Sequence, residues 1–164
     1  MITKNKIQKI SSPILSIPSY NLKITIPGVW WLESREDWTK DGQKRFDPTL
    51  GAKPIGILTY AKNHFAAQFM KRERDNNSDS PIMNLGKNNT MAVGGYDAYF
   101  GTYEVNEESG KVSHTLIGSV SASNIGMTVS RDLRATEIKL MILLETTTTD
   151  GEPIIRTLTW KRIS

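Results

Sequence analysis

The chain has 164 residues, a formal net charge of +4 and no cysteine. This length suits one domain with a single core, and the lack of cysteine excludes a disulfide framework, a thiolate metal site and a cysteine nucleophile. The apolar runs near the N-terminus are too short for a signal-peptide core or a membrane span. We therefore expect a soluble, cytoplasmic protein without a cofactor, and so small a charge does not point to nucleic acid as a partner.

The composition favours strands over helices. There are 17 Ile, 6 Val and 16 Thr but only 8 Ala, and β-branched side chains suit a pleated sheet. Short runs with period-two alternation follow one another along the chain, mostly separated by short turns. In chain order the predicted strands are 30–35, 55–60, 65–70, 99–105, 112–117, 127–133, 138–144 and 154–163.

Such a series predicts an all-β fold, a single antiparallel barrel of about eight to ten strands, because closure removes the exposed sheet edges. We place the barrel domain at residues 28–164 and an N-terminal arm at residues 1–27. The polar stretch 75–89 is long for a compact domain and is predicted to be a lid or a mobile loop.

One hairpin can be predicted in register. The runs 99–105 and 112–117 flank a polar turn, and if Val105 faces Val112, then Tyr103 lies opposite His114 on the same face. Period-two counting extends this face to a mostly apolar interior. The predicted interior residues are Leu58, Tyr60, Ala66, Gln68, Met70, Tyr99, Tyr103, His114, Leu116, Val129, Arg131, Leu133, Leu158 and Trp160.

The polar members of this set have two readings. Buried polar groups need partners, so one reading is a satisfied structural network in which Tyr103 bonds to His114. The other is a small-molecule site, since an apolar cavity with a few convergent polar groups is typical of one. The candidate ligand-binding residues are then Tyr60, Gln68, Met70, Tyr99, Tyr103, His114 and Arg131.

Arg131 and His114 define the chemistry of that site. An arginine keeps its proton, so a ligand carboxylate, enolate or polarised carbonyl is the expected counter-group of Arg131. If the protein is an enzyme, Arg131 and His114 are the catalytic candidates, with His114 as acid or base and Tyr103 orienting it. The two histidines lack metal-binding spacing, so no metal site is expected.

Several motifs resemble one known family. Gly28-Val29-Trp30 resembles the Gly-x-Trp of lipocalins, and the twelve residues from Gly94 to Val105 closely resemble a segment of the lipocalin-like domain family. Further landmarks follow in order at 41–42, 54–60, 67–70, 112–114, 118–119, 124–126, 131 and 158–162, so the resemblance spans about residues 28–163.

The resemblance implies a small β-barrel of the calycin type with an apolar cavity, but no common activity. It also implies that Trp30 lies at the closed end of the barrel beneath Arg162. Three hypotheses stay open: a protein that binds a small apolar or amphipathic molecule; a cyclase or isomerase acting on a polyketide- or terpenoid-like substrate; and a barrel filled by its own side chains that binds a partner through its outer face or its arm. A homodimer is open as well.

Overall fold

The computed structural model describes residues 21–74 and 92–164. Most of the predicted arm and the whole of the predicted lid at 75–89 lie outside the described residues. Within these two ranges the short helix α1 (Leu22–Thr25) is followed by nine strands. These are β1 (Gly28–Trp38), β2 (Lys44–Arg45), β3 (Ile55–Ala61), β4 (His64–Met70), β5 (Tyr96–Asn106), β6 (Lys111–Ser119), β7 (Thr128–Ala135), β8 (Lys139–Thr147) and β9 (Pro153–Arg162).

The strands form one antiparallel sheet in the order β2-β1-β3-β4-β5-β6-β7-β8-β9, and β1 also pairs with β9. That pairing closes eight strands into a barrel, with β2 as an extra strand beside β1. The predicted all-β barrel is confirmed. The predicted hairpin register is confirmed as well, since Tyr103 lies opposite His114 and Val105 opposite Val112. Neither of the two short helical segments among the described residues, α1 and a 3₁₀ turn at Ala122–Asn124, is long enough to span a bilayer.

The prediction of which β4 side chains face the barrel interior is wrong. Ala61 pairs with His64 across a two-residue turn in which Lys62 has a φ of 53°. Tyr60 therefore faces Phe65, and the buried residues of β4 are Phe65, Ala67 and Phe69. The alternate positions, predicted to face the interior, lie on the outer face instead: Ala66, Gln68 and Met70.

A bulge changes the orientation of side chains along β1. Simple alternation places Arg35 on the outer face with Trp31, but the register against β9 shifts between Leu32 and Ser34. The extra residue moves Arg35 and Asp37 to the interior, where both are buried. A bulge of this kind redirects the following side chains without ending the strand.

The helix α1 closes one end of the barrel. Its Leu22 and the following Ile26 are buried, and Glu107 accepts hydrogen bonds from the backbone N–H groups of Leu22 at 3.0 Å and Lys23 at 2.6 Å. Residues 22–26 of the predicted arm therefore pack against the barrel. We call this the closed end.

Trp30 and Arg162 also lie at the closed end, in the arrangement that the resemblance implies. The Arg162 guanidinium lies 4.1 Å from the centre of the Trp30 ring. Gly28 permits this approach: its φ is 138°, and a Cβ there would lie 2.2 Å from Arg162 Nη1. The glycine and the tryptophan of the Gly-x-Trp motif thus serve one contact.

Candidate functional site

Two small cavities lie in the barrel interior among the residues that the structure describes. The lower cavity, nearer the closed end, has a volume of about 30 Å³, and the upper cavity has a volume of about 20 Å³. The lower cavity is lined by Leu58, Tyr60, Phe65, Ala67, Phe69, Tyr99, His114, Val129, Arg131, Ile142, Leu158 and Trp160. The upper cavity is lined by Arg35, Leu50, Phe69, Tyr99, Arg131, Leu144, Arg156 and Leu158.

His114 and Tyr60 form the polar pair of the lower cavity. Tyr60 Oη and His114 Nε2 share a hydrogen bond of 2.6 Å. Aromatic rings hold the pair in place, because Tyr103 packs edge-on against Tyr60 at 4.8 Å and Phe65 edge-on against His114 at 4.6 Å. Such contacts add stability beyond simple burial, so the pair is rigidly supported.

Both members of this pair are neutral at physiological pH. Burial, followed by the positive charge of Arg131, lowers the pKa of His114 to about 3. Burial also raises the pKa of Tyr60 well above its usual range. A neutral ring with so low a pKa has no proton to deliver readily near neutral pH. The role of His114 as acid or base stays a prediction that this pKa does not favour.

Arg131 lines both cavities from β7. It shares the inner face of that strand with Val129 and Leu133, as predicted. Burial lowers the pKa of Arg131, and Tyr99 and Tyr60 act in the opposite direction, but a guanidinium stays protonated at neutral pH. Arg131 is thus the one ionised side chain on the lower-cavity lining that the structure describes.

The upper cavity carries two buried ion pairs. Arg156 binds Asp37 through two hydrogen bonds, from Nε at 2.7 Å and Nη2 at 2.8 Å. Arg35 Nη2 donates to Asp47 Oδ2 at 2.7 Å, and Arg156 Nη2 lies 3.9 Å from the same Asp47 oxygen. Burial alone would raise the pKa of Asp47, but Arg35 and the hydrogen bonds from Thr49 outweigh it and lower the pKa.

Asp97 differs from these paired carboxylates. It is 1% exposed, and neither of its carboxylate oxygens has a well-oriented hydrogen-bond partner among the described residues. Burial, and after it the negative charge of Asp47, raises the pKa of Asp97 to about 7, although Arg35, the backbone N–H of Ala98 and Arg156 oppose the shift. Near neutral pH this carboxyl group is therefore close to half protonated.

The predicted site residues fall into three groups. Tyr60, Tyr99, His114 and Arg131 come together around the lower cavity. Tyr103 is buried behind Tyr60, and the hydrogen bond to His114 that we predicted for Tyr103 comes from Tyr60 instead. Gln68 and Met70 lie on the outer face, where Gln68 Oε1 accepts a hydrogen bond from Tyr96 Oη at 2.5 Å.

The sequence pattern did not predict the charged residues around the upper cavity. Two of them carried a signal, since Arg156 is in phase with Leu158 and Trp160, and Asp97 is in phase with Tyr99. The bulge in β1 hides the inward direction of Arg35 and Asp37. Asp47 follows the short strand β2, where no period-two pattern can develop.

Comparison with known proteins agrees with this architecture. No curated protein matches the chain. The sequence model of one family, described as a lipocalin-like domain, matches residues 27–163. This range covers most of the chain, and the closed antiparallel barrel is a fold that suits the binding of a small molecule. The chain belongs to the lipocalin-like domain family.

Proposed function

We propose that the barrel interior binds a small amphipathic molecule whose apolar body lies in the lower cavity and whose carboxylate or enolate contacts Arg131. The position of Arg131 carries this proposal, because it is the ionised side chain of an otherwise neutral and largely aromatic lining among the described residues. A guanidinium matches a carboxylate in charge and shape. The pocket therefore offers both an apolar surface and an anion-binding group.

The size of the cavities limits the ligand. Volumes of about 30 and 20 Å³ correspond to roughly one or two water molecules, whereas a drug-sized pocket is about 300–1,000 Å³. Phe69, Tyr99, Arg131 and Leu158 border both cavities. We expect Tyr99, which is only partly buried, to rotate so that the two cavities join around a narrow, flexible ligand.

Octanoate and octanamide are suitable probes, because they share an alkyl chain and differ in the charge of the head group. Calorimetric titration of the wild-type protein should show tighter binding of octanoate. Arg131→Met keeps similar apolar bulk but removes the guanidinium. It should weaken the binding of octanoate by about 2–5 kcal/mol, the usual effect of removing one partner of a buried charged contact. Octanamide binding should change much less.

Arg134→Met is the matched control. Arg134 lies on the same strand but alternates with the buried Leu133 and Ala135, so it faces outward. The control variant should keep the wild-type preference for octanoate. Equal weakening of both probes by Arg131→Met would show that Arg131 has a structural role and would contradict the proposal.

A second candidate function follows from the small cavities themselves. A barrel filled by its own side chains would act through its outer surface, where Phe100 and Ile117 are each more than half exposed. In that case no member of a panel of apolar and acidic compounds should raise the melting temperature. A true ligand at 100 times its dissociation constant should add about 2.7 kcal/mol to the unfolding free energy.

The cyclase or isomerase hypothesis gains less from the geometry. It needs a group that exchanges protons near neutral pH, and His114 is neutral and a weak base because its pKa is about 3. Binding without chemical conversion is therefore the function that the interior supports best.

A further inference from the structure

Asp97 is a buried carboxyl group that the proposed anion contact does not use. The other buried carboxylates at this end, Asp37 and Asp47, are each paired with an arginine. Asp97 has no such pair, and both of its oxygens lack a well-oriented partner among the described residues. Buried polar groups in this condition are uncommon and lower the stability of the fold. The stability of the barrel therefore does not explain Asp97.

The position of Asp97 relates it to the upper cavity. It lies on the inner face of β5, opposite Phe69 of β4 and two residues before Tyr99, and both of those residues line the cavity. Arg35 and Arg156 line the same cavity and lie near enough to influence the charge of Asp97. Asp97 is not itself a lining residue of the upper cavity, but its neighbours Phe69 and Tyr99 are.

The surroundings select the kind of group that Asp97 can bind. A carboxyl group accepts a hydrogen bond whether it is protonated or ionised, so a donor suits both forms. A cationic donor such as an ammonium group is disfavoured, because Arg35 and Arg156 already place two positive charges nearby. A neutral hydroxyl group meets both conditions and fits a cavity of about 20 Å³.

We propose that Asp97 is a specificity-determining residue that accepts a hydrogen bond from a hydroxyl group of the ligand in the upper cavity. This inference rests on the proposed function and narrows its ligand class to hydroxylated carboxylates. The acidic group contacts Arg131, the apolar body lies among the aromatic rings of the lower cavity, and the hydroxyl group reaches Asp97.

The test is a series of octanoates that carry one hydroxyl group at successive positions from C2 to C8, with the aminated analogues as a second series. At one or two neighbouring positions the hydroxylated compound should bind the wild-type protein roughly tenfold more tightly than octanoate. The aminated analogue at the same position should bind no more tightly than octanoate.

Two variants identify the residue responsible. Asp97→Val removes the acceptor and should abolish the advantage of the hydroxylated compound while octanoate still binds. Asp97→Asn retains an acceptor oxygen and should keep most of that advantage, which a purely structural role would not predict. Circular dichroism of both variants checks that the barrel is intact, and Asp97→Asn provides the comparison if Asp97→Val does not fold.

The outcomes separate the two proposals. If octanoate binds but no hydroxylated member binds more tightly, or if the advantage persists in Asp97→Val, the assignment of Asp97 is wrong and the proposed function stands. The assignment is also wrong if Asp97→Asn alone can be purified and loses the advantage completely. If no member of the series binds, both proposals fail.

Discussion

The two ends of the barrel interior bury polar groups in different ways. At the closed end, Trp30 Nε1 donates to the Ile26 carbonyl at 2.9 Å. Arg162 there contacts the indole ring and donates to the backbone carbonyls of Thr25, Pro27 and Glu137. Each of these polar groups has a partner, and the cluster seals the barrel.

The cavity region, by contrast, contains buried side-chain atoms without a well-oriented hydrogen-bond partner. Among the described residues these atoms are both oxygens of Asp97, Nδ1 of His114 and Nε1 of Trp160. His114 and Trp160 line the lower cavity, and Asp97 lies opposite Phe69, which lines the upper one. Stability alone does not favour such groups, and they are expected where a site is prepared for another molecule. The closed end is thus organised for packing, and the polar groups of the cavity region support the proposed binding role.

The largest expected effect is the loss of a buried ion pair at the upper end. Asp37→Asn removes the charge that Arg156 pairs with through two hydrogen bonds, and both side chains are only 4% exposed. Breaking such a pair leaves an uncompensated buried charge and should lower the unfolding free energy by about 3–5 kcal/mol. Urea denaturation of the variant and the wild type measures this difference.

Glu36→Gln is the matched control for Asp37→Asn. Glu36 lies next to Asp37 but pairs with Lys44 on the surface, where both side chains are substantially exposed. A surface pair of this kind is worth about 0–1 kcal/mol. A similar, small loss of unfolding free energy in both variants would show that the ion pair between Asp37 and Arg156 contributes little to stability.

The next effect is a pH dependence that comes from Asp97. Burial raises its pKa from 3.8 to about 7, so between these values the folded chain holds a proton that the unfolded chain has lost. The stability that Asp97 contributes is therefore fully present below pH 3.8 and is lost as the pH rises to about 7. Asp97→Val removes this loss. The unfolding free energy of the variant, relative to that of the wild type, should therefore rise by up to about 1.4 kcal/mol per pH unit in this range.

The measurement is the unfolding free energy of both proteins at each pH from about 4 to about 8. His114 acts in the opposite direction, because its folded pKa is lowered to about 3 and its contribution to stability is lost as the pH falls towards that value. Since both proteins contain His114, its effect cancels in the difference. A difference that does not change with pH would show that Asp97 is ionised throughout and would contradict the raised pKa.

The smallest effect is expected at the closed end. Arg162→Met removes the contact with Trp30 and the bonds to the backbone carbonyls at a partly exposed position, which should cost about 2 kcal/mol in unfolding free energy. Octanoate binding should not change, because Arg162 lines neither cavity. Lys161→Met changes the exposed neighbour on the same strand and should alter stability by less than about 0.5 kcal/mol. Weaker octanoate binding in Arg162→Met would contradict the division between the two ends.

The predicted strands followed from local patterns, and this explains where prediction succeeded. Period-two alternation and the polar turn between Val105 and Val112 were enough for the register that sets Tyr103 opposite His114. On β7, Arg131 alternates in phase with Val129 and Leu133, so its inward direction could be predicted as well.

The errors arose at irregular positions of the backbone. A two-residue turn, with Lys62 at a positive φ, sets the phase of β4 and turns Gln68 and Met70 outward. A bulge after Leu32 turns Arg35 inward. A one-residue change in register moves every following side chain to the other face of a sheet, and period-two counting cannot detect such a change.

The sequence by itself determined the all-β class and the inward direction of His114 and Arg131, because each depends on alternation within a strand or across one short turn. The closed barrel was predicted from the need to remove exposed sheet edges and from the family resemblance. Tertiary structure decided that Tyr60 rather than Tyr103 bonds to His114. It also decided that Asp37 and Asp47 are paired while Asp97 is not. Closure of the barrel brings β1, β5 and β9 together across the interior, and contacts between residues so distant in sequence leave no mark in a local pattern.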